Sequence, residues 1–307
     1  MPLNKSWHEY NESLIERGRI LMDISFLGSD KKEIKNMNKG KVGAPFEYSH
    51  TYIQFLAFLK KIGFKISYRT VQGIIRGLSD YIRIEEIHFT QIRRRMLKVK
   101  PSLGHLNLDN DDDNNNNKDK KPLTLIVDAS GLTITKKGDY IQQKWIRKKK
   151  EFIKLHIIAV DAKSKKVVSF RVTKGNIHDS KKFSRMIREV SEQYDIGKMY
   201  ADKAHDNRRS FNLLDNLNII EPAINIRKNA SIKTKGCPLR RDEVLLIKKL
   251  GYERCKQLKD MGRRWIAEIV FSSLKRVLGE DLLSRKFEAQ KIEAGLKVML
   301  YNKFMSF

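Results

Sequence analysis

Two hydrophobic periods divide the chain. Up to about Met96 apolar positions recur as on one face of a helix, and from Leu123 they gather in short runs that suit strands. A helix is predicted from about Trp7 to Met22. After the Gly43-Ala44-Pro45 break the helical pattern resumes with Tyr52, Ile53, Leu56 and Leu59, and Gly63 ends it. Ser67 is placed to cap the next helix, in which Val71, Ile74, Ile75 and Leu78 fall at i, i+3, i+4 and i+7. Thr90 is placed to cap another, which carries Arg93, Arg94 and Arg95. Short helices with tight turns predict a small all-α, helix-turn-helix-like module. An ordinary helical bundle with solvated arginines fits the same pattern.

The second half reads as strands and then helices. Leu123 to Val127 is a compact apolar run ending at Asp128, followed by Leu132 and Ile134. Leu155 to Val160 and Val167 to Val172 flank a polar hairpin turn that starts at Asp161. Asp179 or Ser180 caps a helix running to about Tyr194, and Lys198 to Ala201 is a short strand ending at Asp202. Arg208 to Leu217 is helical, Ile219 to Ile226 is a strand broken by Pro222, and a long helical region starts at Asp242. Three strands, helix, strand, helix, strand, helices is the order of a ribonuclease-H-like α/β fold with a mixed sheet, although many α/β domains alternate in similar ways. Between the halves, Asp111 to Asp113 and Asn114 to Asn117 lie in a polar tract unable to bury apolar surface, which predicts a disordered linker. The expected organisation is a helical DNA-binding domain at 1–106, a linker at 107–121 and a catalytic domain at 122–307.

Charge narrows the class of partner. With 63 Lys and Arg against 36 Asp and Glu the formal net charge is +27, more than solubility requires, and both halves are basic. A polyanion, nucleic acid before all others, is the expected partner. The two cysteines, Cys237 and Cys255, have neither metal-ligand spacing nor paired histidines, which excludes a zinc or disulfide framework. No apolar run approaches a membrane span and the first residues lack a secretory h-region, so a soluble, cytoplasmic protein without a membrane partner is expected.

The strand ends bring in candidate chemistry. Asp128 closes the first predicted strand, Asp202 the fourth, and Glu268 lies on a late helix. Three carboxylates at one point would suit Mg²⁺, and a pair of such ions can activate the attacking oxygen and stabilise the leaving one at phosphorus. Each acid alone is more commonly a turn or cap residue. On the helix, Arg264, Glu268 and Lys275 span about 40° at about 100° per residue, with Ile266, Ile269, Val270, Leu274 and Val277 on the opposite arc. Periodicity alone reads this as a surface i, i+4 ion pair worth a few tenths of a kcal/mol.

Met261, Arg264, Glu268 and Lys275 resemble the Tyr-x2-Arg-x3-Glu-x6-Lys signature of insertion-sequence DDE transposases, with Met261 where the family has tyrosine. The block Leu125 to Gly131 is similar to the family's first acidic motif, and Tyr200-Ala201-Asp202-Lys203-Ala204-His205-Asp206 to its second, with histidine for the usual aromatic. Gly175 to Ser180 resembles its Gly-Asn-x-His-Asp-Ser turn. Trp7 to Asn11, Arg17-Gly18, Tyr68 to Gly73 and Arg93-Arg94 are similar to the opening and helix-turn-helix region of the insertion sequence five group, within the broader insertion sequence four-like superfamily. No sizeable insertion separates the last predicted strand from the Glu268 helix, which makes members with an inserted β-domain the poorer match.

The resemblance implies a prokaryotic, nucleoid-associated transposase that binds terminal inverted repeats and cleaves and transfers DNA strands. Asp128, Asp202 and Glu268 would be the catalytic and metal-binding residues for Mg²⁺, two ions expected, with Mn²⁺ able to substitute. Arg264 and Lys275 would hold DNA phosphates. Arg93 and Arg94, and the cluster Lys144, Arg147 and Lys148 around Trp145, are further DNA-binding candidates. The partner would be double-stranded DNA, both transposon ends and target, with a homodimer or higher multimer acting on paired ends. Asp161, Asp179 and Asp206 read as turn or cap residues, and His178 as a structural hydrogen-bonding group. Two alternatives stay open here: a domesticated, catalytically silent DNA-binding descendant, and a ribonuclease-H-like nuclease acting on RNA or branched DNA.

Overall fold

The computed structural model describes residues 6–60, 65–99, 101, 103, 122–135, 151–160, 165–219, 221–233 and 235–306. The expected linker therefore lies outside the described residues, apart from neighbouring Leu103 and Pro122. The chain divides into two compact units, one from the described parts of 1–102, 135–141 and 282–307 and the other from those of 103–134 and 142–281.

The first unit is helical: α1 (Trp7–Leu21), α2 (Asp30–Asn38), α3 (His50–Phe58), α4 (Tyr68–Ser79) and α5 (Phe89–Met96). Ser6 and Glu9 close a reciprocal capping box on α1, which satisfies amide groups that the first turn leaves without partners. Ser67 Oγ accepts from Thr70 N–H at 3.1 Å, as its position predicts. On α5 the cap is not Thr90 but His88, whose Nδ1 accepts from Thr90 N–H. Helix α2 and the turn Ser25–Gly28 before it were not foreseen, because α2 buries no residue and so carries no apolar signal. The connection from α4 to α5 spans Asp80–His88, longer than the tight turn expected. The last helix, α11 (Phe287–Phe304), belongs to this unit: Lys303 pairs with Asp23 at 3.8 Å and the Arg17 guanidinium lies over the Phe304 ring.

The second unit is built on a mixed sheet with the path β3-β2-β1-β4-β5. Its strands are β1 (Leu123–Ile134), β2 (Phe152–Val160), β3 (Val167–Lys174), β4 (Ile196–Ala201) and β5 (Glu221–Ile224). β1 pairs antiparallel with β2 and parallel with β4, β2 antiparallel with β3, and β4 parallel with β5. Between them come α6 (Ser180–Ser191) and α7 (Arg208–Asn216), followed by α8 (Pro238–Leu250), α9 (Tyr252–Leu258) and α10 (Trp265–Leu278). This mixed α/β architecture is consistent with the expected ribonuclease-H-like fold. Pro222 lies inside β5, whose neighbour in the path is β4 alone, and a strand paired on one side tolerates the missing N–H.

Strand periodicity assigns the two faces. Leu125, Val127, Met199 and Ala201 join one core with Phe183, Ile187, Phe211 and Val244 of α6, α7 and α8. Ile126 and Tyr200, one residue out of step, point the other way and pack with Met261, Ile266 and Ala267 at the start of α10. Helices thus cover both sides, which is what parallel pairing in the centre of a sheet requires.

Candidate active site

The same alternation places the first two acids. In the parallel pair the register runs to Val127 opposite Ala201, so the next residues, Asp128 and Asp202, continue side by side at the carboxyl end of that pairing. Both have the parity of Ile126 and Tyr200 and therefore the α10 face. Clefts beyond the carboxyl ends of parallel strands are where open α/β sheets bind ligands. One sequence expectation is corrected here. Asp128 does not end its strand: β1 continues to Ile134, held by antiparallel pairing with β2 as far as Thr133 opposite Phe152. What ends at Asp128 is the parallel neighbour. Asp202 does close β4, and its Oδ1 accepts from Lys203 N–H at 2.7 Å to cap the turn Lys203–His205.

Helix α10 brings the third acid and a cation. Its buried residues are Ile266, Ala267, Val270, Phe271, Leu274 and Leu278, whereas the expected core residue Val277 is exposed. At about 100° per residue this buried arc ends next to Arg264 and Glu268 rather than diametrically opposite them. The charged stripe consequently borders the core and can reach the sheet. Arg264 Nη1 lies 3.5 Å from Asp128 Oδ2 and Nη2 lies 3.7 Å from Glu268 Oε1, so one guanidinium bridges both carboxylates. Lys275 follows on the same stripe, half-buried. Met261, at the family's tyrosine position, is 7% exposed and packed against Ile126 and Tyr200, which makes that position part of the core.

Burial pushes the Asp128 carboxyl above its ordinary range; the Ala129 N–H and Arg264 oppose the shift, and the negative charges of Asp202 and Glu268 add to it. The neighbouring acids thus add to the effect of burial at Asp128, and the adjacent Arg264 offsets part of it. An all-oxygen, carboxylate donor set with surplus negative charge suits a hard divalent cation. As placed, no three His, Cys, Asp or Glu side chains among the described residues stand close enough to hold a metal ion together. The cation at this point is Arg264.

Other residues singled out in the sequence lie as follows. Arg93 and Arg94 are exposed on α5, while Arg95 turns back to Glu47 at 3.5 Å and over the Tyr48 ring. Lys144, Arg147 and Lys148, with Trp145, lie outside the described residues, as does Asp161. Asp179 occupies the N-cap position of α6 without a side-chain cap bond and instead pairs with Lys154 at 3.0 Å. His178 is structural as expected, its Nδ1 2.8 Å from Ser180 Oγ. Asp206 is corrected: it is no helix cap, since Asn207 caps α7. Its side chain is fully buried and receives Arg240 Nε at 2.6 Å, Arg240 Nη2 at 3.2 Å and Arg227 N–H at 2.9 Å. Nothing in the local sequence marks this, because the partners lie 21 and 34 residues further on.

A family model described as a transposase DDE domain matches residues 119–303, and a second of the same description matches residues 15–137. The first spans more than half of the chain. The protein belongs to the DDE transposases. No solved structure gives a significant match. Among the described residues no helix is long and apolar enough to cross a membrane.

Proposed function

We propose that the protein is an insertion-sequence transposase of the insertion sequence five group, which binds terminal inverted repeats and cuts and joins DNA strands at Asp128, Asp202 and Glu268. The observation that carries this reading is the convergence of three elements: the β1–β4 register sets Asp128 beside Asp202, and Arg264 ties Glu268 of α10 to Asp128. Between β5 and α10 the described residues form helices α8 and α9 with no inserted β-domain, which favours this group over members that carry one.

Bound by these carboxylates, Mg²⁺ or Mn²⁺ would supply activation of the attacking oxygen and stabilisation of the leaving one. Cleavage joins a water oxygen to phosphorus and breaks the bond to O3′, leaving a 3′-hydroxyl and a 5′-phosphate. In transfer that 3′-hydroxyl attacks a target phosphorus and displaces the target's own O3′. The protein's side chains position these steps. Arg264 would turn its fork to a phosphate beside the scissile bond, and Lys275 would hold another along the stripe. Arg93 and Arg94 on α5, in a helix-turn-helix-like N-terminal module, contact the terminal repeats, and Lys144, Arg147 and Lys148 the adjoining backbone. Paired ends require a dimer or higher multimer.

The test is cleavage of a duplex bearing the element's own terminal repeats in Mg²⁺. Asp128→Asn, Asp202→Asn and Glu268→Gln are each expected to abolish cutting while leaving repeat binding intact. Retained cutting by any one of them removes that residue from the site.

A further inference from the structure

The sheet unit also carries an open cleft lined by Arg208, Arg227, Lys233, Lys235, Arg240 and the Asp206 carboxylate, with neutral residues between. Five cations face one acid there. That acid is already satisfied by Arg240 and by Arg227 N–H. The side chains of Arg208, Arg227, Lys233 and Lys235 belong to exposed residues.

The walls are held in place rather than loose. Arg208 Nη1 donates to the Lys235 carbonyl at 3.2 Å, Asn212 Nδ2 to the Gly236 carbonyl at 3.1 Å, and the neighbouring Cys237 is buried against α7. Lys235 and Gly236 both adopt left-handed φ, 45° and 75°, which folds this turn back onto the helix. Arg227 Nε donates to the Lys203 carbonyl at 3.3 Å. Of the residues that line the cleft, Asp206 follows the candidate acid Asp202 by four positions, and Arg227 is tied by this bond to the residue after Asp202.

We propose that this cleft is a backbone-binding site for DNA, in which Lys233 and Lys235 each take a phosphate of a strand that continues to Asp202. The inference rests on the transposase reading and adds to it a site apart from the Arg264 stripe. Fixed backbone and several convergent cations suit a row of phosphates rather than base edges, so the contact is independent of sequence.

The experiment measures binding of the full-length protein to a fluorescent duplex of arbitrary sequence, by anisotropy, across a salt series. Each phosphate contact contributes about 0.9 to the slope of log affinity against log salt. Lys233→Ala with Lys235→Ala is expected to flatten that slope by about 1.8. Lys248→Ala with Lys249→Ala, an exposed pair on α8 with the same loss of charge, is expected to leave it within experimental error. Equal flattening by both pairs overturns the proposal, because general charge would then explain the effect. An unchanged slope in the Lys233/Lys235 variant overturns it too, while the transposase reading survives. Absence of DNA binding by the unaltered protein overturns both.

Discussion

Replacing Arg240 by methionine isolates the buried ion pair that anchors the strand end next to Asp202. The Asp206 side chain has no solvent exposure and Arg240 only 16%, and the two share bonds of 2.6 and 3.2 Å. Arg240→Met removes both and leaves a buried carboxylate with one remaining donor, Arg227 N–H at 2.9 Å. Removing one partner of such a pair costs about 3–5 kcal/mol, most of it the price of the charge left behind. For a unit of this size about 1 kcal/mol moves the midpoint by roughly 2–4 °C, so a fall of about 6–20 °C is expected. The assay is thermal unfolding followed by circular dichroism at pH 7, for the single variant and for Asp206→Asn with Arg240→Met. If the residual charge is the cause, the double variant recovers a large part of the loss. A single variant within about 1 kcal/mol of the parent, or a double variant less stable than the single, refutes the reasoning.

Two further outcomes follow from charge and burial. Asp128→Asn is expected to raise the midpoint of the metal-free protein: with its pKa pushed up by burial and by Asp202 and Glu268, stability is full below the ordinary carboxylate range and falls as pH rises through the raised folded-state pKa, where the ionised carboxylate destabilises the fold. A lower midpoint at pH 7 refutes this. His205, 3% exposed and packed on Phe183 at a centroid distance of 4.7 Å, has its pKa lowered by burial from 6.5 to about 4. The unfolded chain takes up this proton first, so stability is full above about pH 6.5 and is lost by roughly 3 kcal/mol as pH falls to 4. Urea unfolding across that range measures it, and an unchanged pH slope in His205→Leu would refute it.

The strands were legible where apolar runs are continuous and flanked by turn residues, as at Leu123 to Val127 and Leu155 to Val160. They were illegible where pairing rather than composition makes the strand. Ala129, Ser130 and Gly131 carry no strand signal of their own, and β1 extends through them because β2 lies alongside. Helix α10 was legible as an amphipathic element, but its buried arc was misplaced: Val277 was counted in it and Phe271 was not. That error hid the contact between Arg264 and Asp128, since charges opposite the core could not have touched the sheet. Asp206, the cleft it closes and the return of α11 to the first unit depend on partners far along the chain, which no local period records.

The candidate site results from two periods that meet at one edge. On β1 and β4 a repeat of two fixes Asp128 and Asp202 on the face of Ile126 and Tyr200, and a slip of one residue would bury both acids among Phe183 and Ile187 instead. On α10 a repeat near 3.6 sets Arg264 and Glu268 at the margin of the buried arc, where a cation reaches Asp128 without entering the core. This division also explains the electrostatics. Asp202 and Glu268 add to the burial that disfavours ionised Asp128, and the arginine one turn before the third acid sets a positive charge against both Asp128 and Glu268. Arg264 thus offsets part of the negative charge before any phosphate or metal arrives. On the proposed reading, catalysis requires Arg264 to change partner while the backbone that carries the acids stays in place.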